Sequence, residues 1–110
     1  MRSIGPRIAL ILGFMIFATA SWAQSATVRL TLKGNRFQPA EVSAPANTPI
    51  TIIVKNDDAT AAEFESNTLR VEKIVTPGAT ITLQIRPLAP GRYRFFNDFH
   101  QETDGYVVVK

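Results

Sequence analysis

The residues best suited to chemistry in this chain are one histidine, His100, and four carboxylates in three short stretches: Glu63 and Glu65, Glu72, and Asp98. Glu63 and Glu65 flank Phe64. In an extended segment both carboxylates project to one side and the phenyl ring to the other. Imidazole together with carboxylates forms a donor set for borderline and harder divalent cations, Fe(II), Mn(II), Zn(II) or Cu(II). The same acids can also act as solvated charges that keep a small domain soluble, and a lone histidine can be a hydrogen-bonded loop residue. Spacing alone leaves both readings open.

Other chemistries are disfavoured by what the chain lacks. It has no cysteine, which removes thiol catalysis, disulfides and every thiolate-ligated metal site. A hydrolytic triad would need His100, an acid and one of Ser25, Ser43 or Ser66, and none of these serines has the strand–turn–helix setting of a nucleophile elbow. Gly78 and Gly91 each follow a proline, which marks turns rather than a phosphate-binding loop. The expectation is a protein that is not an enzyme.

The first residues read as a leader. Arg2 and Arg7 precede an apolar run from Ile8 to Ala18, and Ser21-Trp22-Ala23 offers small residues at a cleavage site. This is the pattern of a secretory signal peptide over residues 1–23, cut between Ala23 and Gln24. The apolar run, roughly 11 residues, is short of the roughly 20 a spanning helix needs, so the expected product is periplasmic and does not itself span the membrane. Arg2 and Arg7 leave with the leader, so ten basic residues face nine acidic ones in residues 24–110. No block of like charge appears, and no nucleic-acid partner is expected.

The elements that must position the candidate ligands read as strands and turns. Val28, Leu30 and Leu32 alternate with polar residues, the period of a half-buried strand. Phe37 and Val42 bracket Pro39, which points to an edge or bulged strand. Ile50, Ile52 and Val54 form a further row, and Val71–Val75 a short strand. From Thr80 to Arg86 the alternation is strict, with Ile81, Leu83 and Ile85 on one face. Tyr93, Phe95 and Asn97 share a face in the next strand, and after a loop from Asp98 to Asp104 the last strand runs from Tyr106 to Val109. The stretch from Ala59 to Ser66 is left between a helical turn and an extended segment. About seven short strands with Gly/Pro turns predict an all-β, Greek-key β-sandwich as one domain over residues 24–110.

Several of these segments resemble the cupredoxins. Gly91-Arg92-Tyr93-Arg94-Phe95-Phe96-Asn97-Asp98-Phe99-His100 is similar to the strand and loop entering a type 1 copper site, Phe37–Val42 to that family's second strand, and Ile50–Asn56 to its third. Under this resemblance Asn97 stands where the cysteine ligand belongs, His100 at the C-terminal histidine ligand, and Thr103 where a methionine sits in short-loop members. Glu63 stands near the first histidine. The implied scaffold is a cupredoxin-like sandwich without a blue-copper centre. Glu63-Phe64-Glu65-Ser66, Glu72-Lys73, Pro87–Gly91 and the Phe95–His100 stretch also resemble the cupredoxin-like domains of EfeO-type periplasmic iron-uptake proteins. That resemblance implies a module binding or delivering a divalent metal ion, iron or copper, beside an inner-membrane metal permease or a periplasmic metal-uptake protein. The alternative is a non-metal interaction domain that kept the scaffold and lost the site.

Overall fold

In the computed structural model, which describes residues 25–110, strand β1 (Ala26–Lys33) buries Val28, Leu30 and Leu32 and turns Arg29 and Lys33 outward. It returns as β2 (Arg36–Gln38) through Gly34 and Asn35, whose φ values are 61° and 60°. A two-residue hairpin between right-twisted strands needs positive φ at both positions. The Asp58 carboxylate accepts hydrogen bonds from both amides, at 2.6 and 2.9 Å. Pro39 and Ala40 then carry the chain from the edge of one sheet to the edge of the other, where β3 (Glu41–Ala44) begins. Pro39 has no N–H to give to a ladder, so it fits a crossover between edges.

Strand β4 (Ile50–Asn56) runs between β1, parallel to it, and β7 (Thr80–Ile85), antiparallel to it. The second sheet is ordered β3-β9-β8-β5-β6, with β5 at Ala62–Ser66, β6 at Val71–Val75, β8 at Gly91–Asn97 and β9 at His100–Val109. The inner faces meet around Phe37, Phe64 and Phe95. Phe64 and Phe95 stack with centroids 5.3 Å apart, and Phe37 stands edge-on to both at 5.9 and 5.0 Å. Offset and edge-on contacts suit the ring quadrupoles and add to the stabilisation from burial.

The expectation of an all-β sandwich holds, with nine strands instead of about seven. Two differences make up the count. The Phe37–Val42 segment is two strands on two sheets, because Pro39 interrupts the ladder. Residues 62–66 form a strand, because Ala62, Phe64 and Ser66 all reach the interior, and period-2 burial outweighs the weak helical preference of a short Ala/Glu stretch. A third correction concerns the loop from Asp98 to Asp104. The turn is only Asp98-Phe99, and β9 starts at His100, with an irregular register opposite Phe96 and Asn97. This polar stretch lacks an apolar alternation to announce it. Arg94 holds it, donating to Asp104 Oδ2 (2.9 Å) and to the Gln101 carbonyl (2.8 Å), and Thr103 Oγ1 donates to the Asn35 carbonyl (2.9 Å). The leader and its cut after Ala23 lie outside the described residues.

Ile81, Leu83 and Ile85 share the inner face of β7, but Leu83 is only half-buried at the core margin. Leu83→Ala is therefore expected to cost about 1–2 kcal/mol, below the ~2–5 kcal/mol of a fully enclosed leucine. Urea denaturation reads this directly. A cost above 4 kcal/mol would mean the side chain is enclosed, and a cost near zero that β7 is out of register.

Candidate functional site

On β5 the inward residues are Ala62, Phe64 and Ser66, which leaves Glu63 and Glu65 on the outer face of the five-stranded sheet. The neighbouring edge strand pairs Glu72 with Glu65 and Ile74 with Glu63. Each of Glu63, Glu65 and Glu72 can offer a carboxylate oxygen so that all three lie within 4.8 Å of one another. Cross-strand pairing of like charges is unfavourable, and the protonation equilibria register it. A carboxyl–carboxyl hydrogen bond with Glu72, then partial burial, then the charges of Asp98, Glu72 and Glu63 push Glu65 up to about 7. Partial burial, a hydrogen bond with Asp98 and the charges of Glu72 and Asp98 raise Glu63 above the usual carboxylate range. Each of the charges that raise Glu65 is another carboxylate.

Of the five residues singled out in the sequence, the fold brings Glu63, Glu65 and Glu72 together and sets Asp98 beside Glu63, where the Asp98 amide also donates to the Glu63 carbonyl at 2.9 Å. His100 is not in that group. It opens β9 with its side chain 53% exposed and Nδ1 3.8 Å from Glu102 Oε1. The sequence reading missed the floor of the region, a shallow depression of about 270 Å³ beside the cluster, lined by Glu65, Glu72, Ser66, Asn67, Arg70 and Val71. Arg70 stands there with φ at 59°, a backbone state that side-chain type does not announce.

The positions that the resemblance assigns to copper ligands hold other chemistry. Asn97, 2% exposed, accepts hydrogen bonds at Oδ1 from the amides of Glu63 (3.0 Å) and Phe99 (3.1 Å). It ties β5 to β8 and closes the Asp98-Phe99 turn. Thr103, 5% exposed, spends its hydroxyl on the Asn35 carbonyl. A type 1 centre needs a thiolate, so these residues do not fit that group. Hard oxygen donors at Glu63, Glu65 and Glu72 fit a divalent cation of a different class.

A family model of cupredoxin-like domains matches residues 6–109. The uncharacterized protein RP394 of Rickettsia prowazekii is 45% identical over 83 residues, which is 74% of this chain and 66% of that protein, so the match spans slightly under two thirds of the relative's length. Among solved structures, the metal-binding domain of the Cu(I)-exporting P-type ATPase CopA of Streptococcus pneumoniae aligns with a TM-score of 0.70 at 12% identity, covering 80% of this chain and 97% of that one. Auracyanin A, a "blue" copper protein of Chloroflexus aurantiacus, aligns with a TM-score of 0.67 at 15% identity, covering 79% and 100%. At these identities the likeness is one of fold. The match over most of its length, on a two-sheet scaffold of this topology, makes the chain a member of the cupredoxin-like domain family.

Proposed function

We propose that this chain is a metal-ion-binding module of the periplasm that holds a divalent cation on the outer face of the five-stranded sheet, not in a type 1 copper pocket. One observation carries the reading: Glu63, Glu65 and Glu72 place carboxylate oxygens within 4.8 Å of one another. A bound dication relieves the repulsion that such a group costs when empty. An all-oxygen donor set favours iron over Cu(I), which prefers sulfur. That agrees with the resemblance to EfeO-type iron-uptake domains, and delivery to an inner-membrane permease is the role it implies. The burial of Asn97 and Thr103 in backbone hydrogen bonds favours the second reading, an interaction domain without metal.

Calorimetric titration with Fe(II) under anoxic conditions, and with Zn(II) and Cu(II), separates the two. Wild type is expected to bind, Glu65→Gln to bind roughly tenfold more weakly, and affinity to fall as pH drops from 8 to 6, where protons compete for Glu65. Without metal, the sign for stability is opposite to that of an ordinary salt-bridged acid. The folded state binds Glu65's proton more tightly than the unfolded one, so the stability linked to this group is present below about 4.5 and is lost as pH rises towards about 7. Glu65→Gln should remove that part of the pH dependence. Binding that disappears in His100→Ala and is untouched in Glu65→Gln would move the ion to the β8–β9 hairpin. No binding of any of the three metals leaves the interaction-domain reading.

A further inference from the structure

The two sheets differ in charge in a way the sequence order conceals. The strands of the four-stranded sheet, β2-β1-β4-β7, contain no aspartate or glutamate, whereas the strands of the other sheet carry six. Val28, Leu30, Leu32, Phe37 and Val54 point into the core, so Arg29, Lys33, Arg36 and Lys55 all project from the outer face of the four-stranded sheet. The register places Lys33 directly opposite Arg36, and Lys55 beside Thr31, two residues from both Arg29 and Lys33. Like charges facing each other across a ladder are destabilising. Among the described residues only Lys55 has an ion-pair partner on this side, Asp57 at 3.4 Å. Asp58, the other acid nearby, accepts hydrogen bonds from the Gly34 and Asn35 amides. The remainder of the face is threonine, glutamine and the half-buried Ile53, and the exposed large apolar residues, Ile74 and Phe99, belong to the other sheet and its hairpin.

We propose that this face docks on the surface of an anionic phospholipid bilayer, leaving the carboxylate cluster on the opposite sheet turned away from the membrane. A protein partner would ordinarily find an apolar or aromatic anchor at the centre of its interface, and this face offers only the half-buried Ile53. A bilayer of anionic headgroups asks only for an array of cations and hydroxyl donors, and attracts each cation separately. The contact is electrostatic and superficial, without insertion, because Ile53, the one large apolar side chain on it, is half-buried between Arg29 and Thr82 of the flanking strands. The inference goes beyond the metal reading and does not depend on it.

Vesicle sedimentation tests it with the full chain, wild type against the triple variant Arg29→Gln, Lys33→Gln, Arg36→Gln. The quantity read is the increment in binding from phosphatidylcholine vesicles to phosphatidylcholine/phosphatidylglycerol vesicles. Both chains carry the same residues 1–24, so their contribution cancels in the comparison. The wild-type increment is expected at about 0.05 M salt and is expected to vanish at about 0.5 M, where the Debye length shrinks to a few ångströms. The triple variant should lose roughly 100-fold in partitioning, about fivefold per cation, with a melting temperature no lower than wild type, because all three side chains are exposed and the Lys33–Arg36 repulsion is removed. Glu63→Gln/Glu65→Gln should retain the increment. An equal increment in wild type and triple variant overturns the proposal. So does tighter binding to a DNA duplex than to anionic vesicles, or self-association abolished by the triple variant in a protein that ignores vesicles.

Discussion

Asn97→Ala is expected to destabilise the domain by about 2–4 kcal/mol, a large part of the ~5–15 kcal/mol of a typical small domain. Asn97 Oδ1 is the acceptor for two backbone amides, those of Glu63 and Phe99. Alanine leaves both donors without that partner inside a closed site, at roughly 1–3 kcal/mol each when water cannot replace it. The Phe99 amide lies at an exposed turn and can recover part of its loss to solvent, which sets the upper figure. Asn97→Asp discriminates hydrogen bonding from packing, since it keeps the acceptor oxygens. It also buries a carboxylate beside Glu63, so its folded-state pKa should rise, and its penalty should be small near pH 5 and grow as pH rises. Urea denaturation at two pH values reads both effects. Asn97→Ala within 0.5 kcal/mol of wild type would show that the hairpin does not depend on this side chain. If it does depend on it, the residue at the position the resemblance assigns to the thiolate is a structural cross-link.

Gly105→Ala is expected to cost about 3 kcal/mol or more. A Cβ at position 105 would run into the Ala40 carbonyl oxygen and lie 2.5 and 2.7 Å from Phe95 Cζ and Cε1. Neither neighbour is free to retreat. The Ala40 carbonyl accepts the Tyr106 amide at 2.9 Å, anchoring β9 beside the start of β3, and Phe95 is fully buried against Phe37 and Phe64. Overpacking a filled core typically costs ~1–3 kcal/mol, and a clash with backbone lies at or beyond the upper end. Phe95→Leu in the Gly105→Ala background should recover part of the loss, giving a favourable coupling in a double-mutant cycle. Additive losses from the two substitutions would exclude the ring as the obstacle, and a Gly105→Ala domain as stable as wild type would exclude the close approach itself.

The two outer faces lead to separable experiments. Cation binding is sought on β5 and β6, and headgroup binding on β1, β2 and β4. A variant on one sheet serves as the control for the other, because the core lies between them.

The sandwich was legible in the sequence because burial in a strand imposes a period of two. Val28/Leu30/Leu32, Ile50/Ile52/Val54 and Ile81/Leu83/Ile85 each announce which face is inner, and a one-residue slip would reverse it. The same rule puts Glu63 and Glu65 on one side, opposite Phe64, only if that stretch is extended, and the burial of Ala62, Phe64 and Ser66 decided that it is. The absence of cysteine decided against a thiolate site without any structure. Sequence order could not decide which strands would be neighbours, because hydrogen bonding between strands distant in sequence depends on how whole faces pack. Only the pairing of β5 with β6 sets Glu72 against Glu65, and only the tight Asp98-Phe99 turn, held by Asn97 and Arg94, puts His100 on a strand instead of in a loop. Charge followed the same division. A chain with no block of like charge folds into one sheet whose strands have no acids and another whose strands carry six, because alternate residues of each strand go to opposite sides and the topology sorts the strands into two sheets.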